Sequence, residues 1–180
     1  MIKVNLINKD MLIACTNISS NVDESKISPV VEAVQRLYLR PILGNNLYDA
    51  VLTHEKAYID SISTDPQVLV PVPAPYSTLL EGYIYDFLIN RVAAELVMFL
   101  SVTTANGGVF RHSSENGNEA TSDELHNIID LYESRAKVAE MQLQAYLEEH
   151  EASFVEYDTE EDWETAPKET VKSRGGWYGI

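Results

Sequence analysis

Four histidines (His54, His112, His126 and His150), one cysteine (Cys15) and 28 acidic residues are the side chains here with the chemistry to act as bases, nucleophiles or metal ligands. Their spacing arms none of them. No HExxH occurs, so no helix presents a zinc pair with its general base, and a single cysteine cannot build a Cys-His cluster. His54-Glu55 and His150-Glu151 are adjacent pairs, which do not share a helix face. His126 and Asp130 are four apart, as are Tyr146 and His150; solvated helix positions account for both. GxGxxG, GxxxxGK[ST] and GxSxG are all missing, and Gly107-Gly108 and Gly175-Gly176 lack the following helix that a phosphate cradle needs. The run Glu160-Glu161-Asp162 lacks the spacing of an EF-hand loop and reads as a solvated or arginine-facing acidic stretch. The expectation is a protein with no catalytic residue, no cofactor and no metal site, acting by assembly or binding.

Bulk properties narrow the partners. The chain carries 28 acids against 13 bases, a formal charge of -15. DNA affinity comes mainly from neutralising phosphates with Lys and Arg, so such a chain repels nucleic acid and anionic membrane surfaces. Basic protein surfaces are its natural partners, and an inner wall that faces DNA without gripping it also fits. One cysteine allows no intramolecular disulfide and points to a reducing compartment. Residues 1–20 have no clean apolar core, so no signal peptide is read. The most apolar stretch, 83–102, contains Asp86, Arg91 and Glu95. Each would cost about 2.5–3.5 kcal/mol near a bilayer centre, which makes a buried helix the expectation and a membrane span not.

The elements follow from periodicity. Residues 1–22 read as irregular or extended, with IKVNLI alternating like a short strand. A first helix is predicted from Ser28-Pro29, with Val30, Val31, Val34, Leu37 and Tyr38 at helical spacing. Pro41 and Gly44 then mark a tight break before a new helix carrying Leu47, Val51 and Leu52, with Asn45 or Asn46 as its cap. Residues 60–76 contain four prolines and predict a stiff connector, with room for a short edge strand at 67–70. Thr78 and Glu81 have capping-box spacing and predict the start of a central helix, apolar nearly all round and running to about Thr103. Within it Arg91 pairs with Glu95, and Asp86 with Asn90, on a partly exposed face; subunit contacts are the alternative. Residues 104–120 read as a polar loop. Thr121 and Glu124 give the clearest cap in the chain, opening a helix of roughly 28 residues, about 42 Å long. Its apolar stripe is Leu125, Ile128, Ile129, Tyr132, Ala136, Ala139, Leu143, Tyr146 and Leu147, opposite Glu133, Lys137, Glu140 and Gln144.

The predicted fold is therefore mainly α: a small bundle of three to four helices, two of them long, with an extended N-terminal segment and a long C-terminal tail. Two units are expected, a helical domain over 1–150 and an acidic, aromatic tail over 151–180. The tail is too poor in aliphatics to make its own core. Yet Phe154, Tyr157, Trp163, Trp177, Tyr178 and Ile180 are large anchors, and Arg174 adds a charge. They fit a segment that orders on another protein surface, each buried ring carrying binding energy. Folding back on its own helices is one alternative and disorder another. Deleting 151–180 is expected to leave a folded body that no longer assembles.

The segment PVVEAVQRLYLRPILGNNLYDAVL, Pro29 to Leu52, resembles small helical head-to-tail connector (neck, or adaptor) proteins of tailed phages of the Bacteroides group, including ring proteins of crAss-like phages. The motif is Ile42, Leu43, Gly44, Leu47 and Tyr48, and the likeness as an architecture covers about 20–150. Pro41, Gly44, Leu47 and Tyr48 are its structural turn. The resemblance implies a virion protein at the head–tail junction, assembled in the host cytoplasm. It implies a homo-oligomeric ring, commonly of twelve, that contacts the portal and other neck or tail proteins and lets DNA pass through without specific binding or membrane contact. The tail would latch to a neighbouring subunit or the portal. A helical binding module or regulator of the cytosol, whose acidic tail engages a basic partner, is the competing reading; a tail-completion or capsid-associated protein is a third.

Overall fold

A computed structural model describes residues 4–63, 68–105, 108–111 and 121–157, and for 102–105 and 108–111 the backbone only. The fold is mainly α, with long helical stretches. A short helix α1, Lys9–Cys15, precedes the first of these: α2, Glu24–Val34, a π-helical turn, Gln35–Leu39, and α3, Arg40–Ile62. Then come α4, Ala74–Leu79, a second π turn, Leu80–Ile84, and α5, Tyr85–Ser101. A hairpin of β1, Val102–Ala105, and β2, Gly108–Arg111, leads towards α6, Ser122–Glu149, and a 3₁₀ turn, Glu151–Ser153.

The expected corner is where the motif put it. Gly44 has φ 74° and ψ 167°, non-helical inside α3. That region belongs almost wholly to glycine. The chain turns there, so Leu43, Leu47, Tyr48, Val51 and Leu52 all reach the core. Arg40 Nε donates to Asn45 Oδ1 at 2.7 Å across the bend.

The two π turns solve a phase problem. Buried residues run Ile27, Val31, Val34, then Leu39 and Leu43. The step of five from Val34 to Leu39 would rotate an α-helix off its own stripe. An i→i+5 bond, Arg40 N–H to the Gln35 carbonyl, absorbs the extra residue. The second turn does the same from Leu79 to Ile84, closed by Tyr85 N–H on the Leu80 carbonyl.

Several boundaries differ from expectation, each for a local reason. No strand forms among residues 4–22. Asn8 caps α1 instead, its Oδ1 accepting from Met11 N–H at 2.9 Å. Leu6 and Ile7 are both buried, which alternation along a strand would forbid. The first long helix starts at Glu24, a turn before Ser28-Pro29, because Asp23 accepts from Ser25 N–H at 2.9 Å. Pro29 therefore lies inside the helix. The central helix begins at Ala74, not at Thr78; Pro75 sits in its first turn, where a missing N–H costs least. Thr78 Oγ1 donates back to the Ala74 carbonyl at 3.0 Å, the habit of a mid-helix threonine and not of a cap. Residues 68–70 form no strand. The presumed loop after α5 is in part a hairpin, Val102 opposite Arg111 and Ala105 opposite Gly108; 106–107 and 112–120 lie outside the described residues. The Thr121 cap is as expected, with Glu124 N–H donating to Thr121 Oγ1 at 3.2 Å and Thr121 N–H to Glu124 Oε2 at 2.8 Å. The Thr121 N–H, and then the Thr121 hydroxyl at 2.9 Å, hold the Glu124 carboxyl below its usual range.

α5 is the central helix, packed chiefly against α6 and next against α2. Phe87, Leu88, Val92, Ala93 and Leu96 are fully buried along it. The N-terminal segment is tied on by one buried amide. Gln35 accepts from Leu6 N–H at 2.7 Å and donates to the Val4 carbonyl at 2.9 Å, so its burial leaves nothing unpaired. Asn17 N–H donates to the buried Tyr132 hydroxyl at 3.0 Å, fixing the link after α1 to α6.

Candidate partner interface

The first two tail anchors are used inside the chain, a correction to the expectation that all of them await a partner. Phe154 is 1% exposed and belongs to the main core. Its ring meets Tyr76 edge-on at 5.6 Å and Tyr146 at 6.3 Å. Tyr146 in turn stacks on Tyr83 at 4.2 Å and on His150 at 4.3 Å. Tyr157 packs against the same core, half-buried. Tyr76 donates its hydroxyl to Glu156 Oε2 at 2.8 Å. Burial, then that bond to a carboxylate, pushes the Tyr76 hydroxyl up to about 12. The reason is geometric: the 3₁₀ turn after α6 reverses the chain, and α4 lies open beside it to receive a ring. The packed body therefore runs to at least Tyr157, past the boundary expected at 150. Trp163, Arg174, Trp177, Tyr178, Ile180 and the Glu160-Glu161-Asp162 run lie outside the described residues.

The turn-motif residues serve packing. Leu47 is fully buried and Tyr48 nearly so, with burial raising the Tyr48 hydroxyl above its ordinary value. The expected Arg91–Glu95 pair is present at 3.4 Å, and its role is internal. Arg91 lies 3.9 Å over the Tyr38 ring and reaches Glu133 Oε1 at 3.5 Å. Tyr38 donates to Glu95 Oε1 at 3.0 Å. One arginine so links the first π turn, α5 and α6. Asn90 does not pair with the Asp86 carboxylate; its Nδ2 donates to the Asp86 carbonyl at 2.8 Å.

One surface open to a partner is one the stripe reading missed. On α6, Tyr132, Ala136, Ala139, Leu143 and Leu147 are buried as expected, but Ile128 is 40% exposed. Leu131, Val138 and Met141 are 48%, 55% and 62% exposed. Leu131, Val138 and Ala145 repeat every seven residues, with Ile128 and Met141 three residues from that line. They leave a partly exposed apolar line along α6. Beside it a groove of about 500 Å³ is lined by Cys15, Ile89, Asn90, Leu131, Val138 and Gln142. The signal was legible: α6 carries apolar residues at two phases, and one neighbouring helix can cover only one of them. Among the described residues no three His, Cys, Asp or Glu side chains are placed to hold a metal ion, and no helix is long and apolar enough to cross a membrane.

Residues 39–166 match the family DUF6712, described as a family of unknown function, and the chain belongs to that family. The match runs from the corner through α6 and across Phe154. No curated protein and no solved structure matches the chain.

Proposed function

We propose that this chain is a subunit of a ring in the head-to-tail connector of a tailed phage, bridging portal to tail around the DNA channel. The observation that carries the reading is the partly exposed apolar line along α6. A 28-residue helix that keeps a second apolar line in water is built for a lateral neighbour. A heterologous contact between this line and a different face of the next copy closes into a ring when the rotation allows. The corner at Gly44 supports the reading too, since the resembling connector proteins share that motif. A charge of -15 suits a channel wall past which DNA slides. Residues 158–180, with Trp163, Arg174, Trp177, Tyr178 and Ile180, are then the segment to latch onto a portal or neighbouring subunit.

The test is co-expression with a tailed-phage portal protein from the same genome, followed by mass photometry and electron microscopy. A cyclic complex with this chain stacked on the portal is expected. A chain that stays monomeric and apart from the portal would overturn the reading.

A further inference from the structure

Glu55 is the one carboxylate-bearing residue of α3 that the fold largely buries: it is 8% exposed. No hydrogen-bond donor among the described residues reaches it. Its carboxylate oxygens still reach solvent, since among the described residues the one buried side-chain polar atom without a partner is Arg91 Nε, so an incoming donor would take the place of water there. Glu55 is not sealed in. It lines a cavity of about 300 Å³ together with Tyr58, Ser77, Glu81 and Tyr85, walled by Val72 and its neighbours. α3 supplies Glu55 and Tyr58, α4 supplies Ser77, and the second π turn supplies Glu81, with Tyr85 just beyond it.

We propose that this cavity is a receptor for the cationic end of a lysine or arginine side chain carried by a docking protein. Its lining holds two carboxylates and two phenol rings and no basic residue. Carboxylates and tyrosine faces both favour an ammonium or guanidinium ion. Its wall of Pro71, Val72 and Leu80 offers the methylene stem an apolar path. The volume is at the lower end for ligand pockets and suits one side chain. A divalent ion is the poorer fit, because calcium takes six to eight oxygens and the cavity brings two carboxylates. The local field agrees. Burial, then Glu81, pushes the Glu55 carboxyl above its ordinary value. Burial, then Glu55 and Glu81, pushes the Tyr85 hydroxyl up to about 12. The cavity lacks a positive charge that an incoming side chain would supply.

The inference goes beyond the connector reading and does not depend on it. Its test uses the full chain with carbon-13-labelled glutamate and tyrosine. Four probes are titrated: N-ethylguanidinium, n-butanol as a neutral control, the capped peptide Gly-Gly-Arg-Gly-Gly, and the same peptide with norleucine for arginine. Saturable shifts of the Glu55, Glu81, Tyr58 and Tyr85 signals are expected with N-ethylguanidinium and the arginine peptide, and not with butanol or norleucine. Glu55→Gln, which keeps the shape, should weaken both at least tenfold, and the exposed Glu81→Gln should weaken them less. Butanol or norleucine shifting the same signals would overturn the proposal, as would full-strength binding by Glu55→Gln. N-ethylguanidinium binding without the arginine peptide would overturn it too, leaving a site for free cations.

Discussion

At Gly44 the backbone itself sets the constraint. Any L-residue at φ 74°, ψ 167° is strained by about 1–3 kcal/mol. Gly44→Ala should therefore lower unfolding stability by about that much in denaturant titrations. Gly82 is the internal control: a Cβ there meets nothing within 4 Å, and it lies inside the second π turn. Gly82→Ala should be neutral or add up to about 1 kcal/mol. Glu55 makes a prediction of opposite kind. Its folded carboxyl titrates above the ordinary 4.5. Between those values the folded chain holds a proton that the unfolded chain has released, so this group's contribution to stability falls as pH rises through the window. Glu55→Gln should melt above the parent at pH 7. The gap should close as pH drops towards 4.5, read as the difference between two melting curves.

Among the elements, the segment after α6 changes how the tail must be tested. Removing 151–180 takes Phe154 out of the core along with everything beyond it. Loss of a buried Phe costs about 3–5 kcal/mol, so a chain cut after His150 should melt well below one cut after Tyr157. Calorimetry on the two truncations measures this. The cut after Tyr157 is the one that tests the latch, since it removes Trp163, Arg174, Trp177, Tyr178 and Ile180 and keeps Phe154. The capping box and the corner were readable because each is a contact between residues a few positions apart. The helices start at Glu24 and Ala74, upstream of Ser28 and Thr78, because Asp23 accepts the Ser25 N–H and Pro75 has no N–H to leave unpaired in the first turn. The strand expected from the alternation of IKVNLI gives way to α1, capped by Asn8.

For the molecule as a whole, the charge and the exposed apolar line of α6 decide what it can meet. Leu131→Glu with Val138→Glu leaves the buried line of α6 untouched, because both side chains are about half exposed. Circular dichroism should show unchanged helix content and a melting temperature close to the parent. On the ring reading, the same pair should abolish cyclic assembly with the portal. Like charges would then meet across the contact, and several kcal/mol of apolar contact would be lost at every subunit boundary. Assembly at parental levels would show that this line is not the lateral contact.

What the sequence determined by itself was whatever depends on neighbours in the chain: the mainly helical class, the corner at Gly44, the Thr121 cap, the apolar centre of α5 and the strongly acidic balance. Periodicity and capping act over three to five residues, and the string of letters contains that range in full. Only the tertiary structure decided that Phe154 is a core ring, that Arg91 links three elements, that α6 shows a second apolar line to water, and that Glu55 is largely buried beside a cavity. Each of those depends on which distant segment comes to lie alongside. Burial belongs to a pair of surfaces brought together by the whole fold, and a single residue's type leaves both outcomes open.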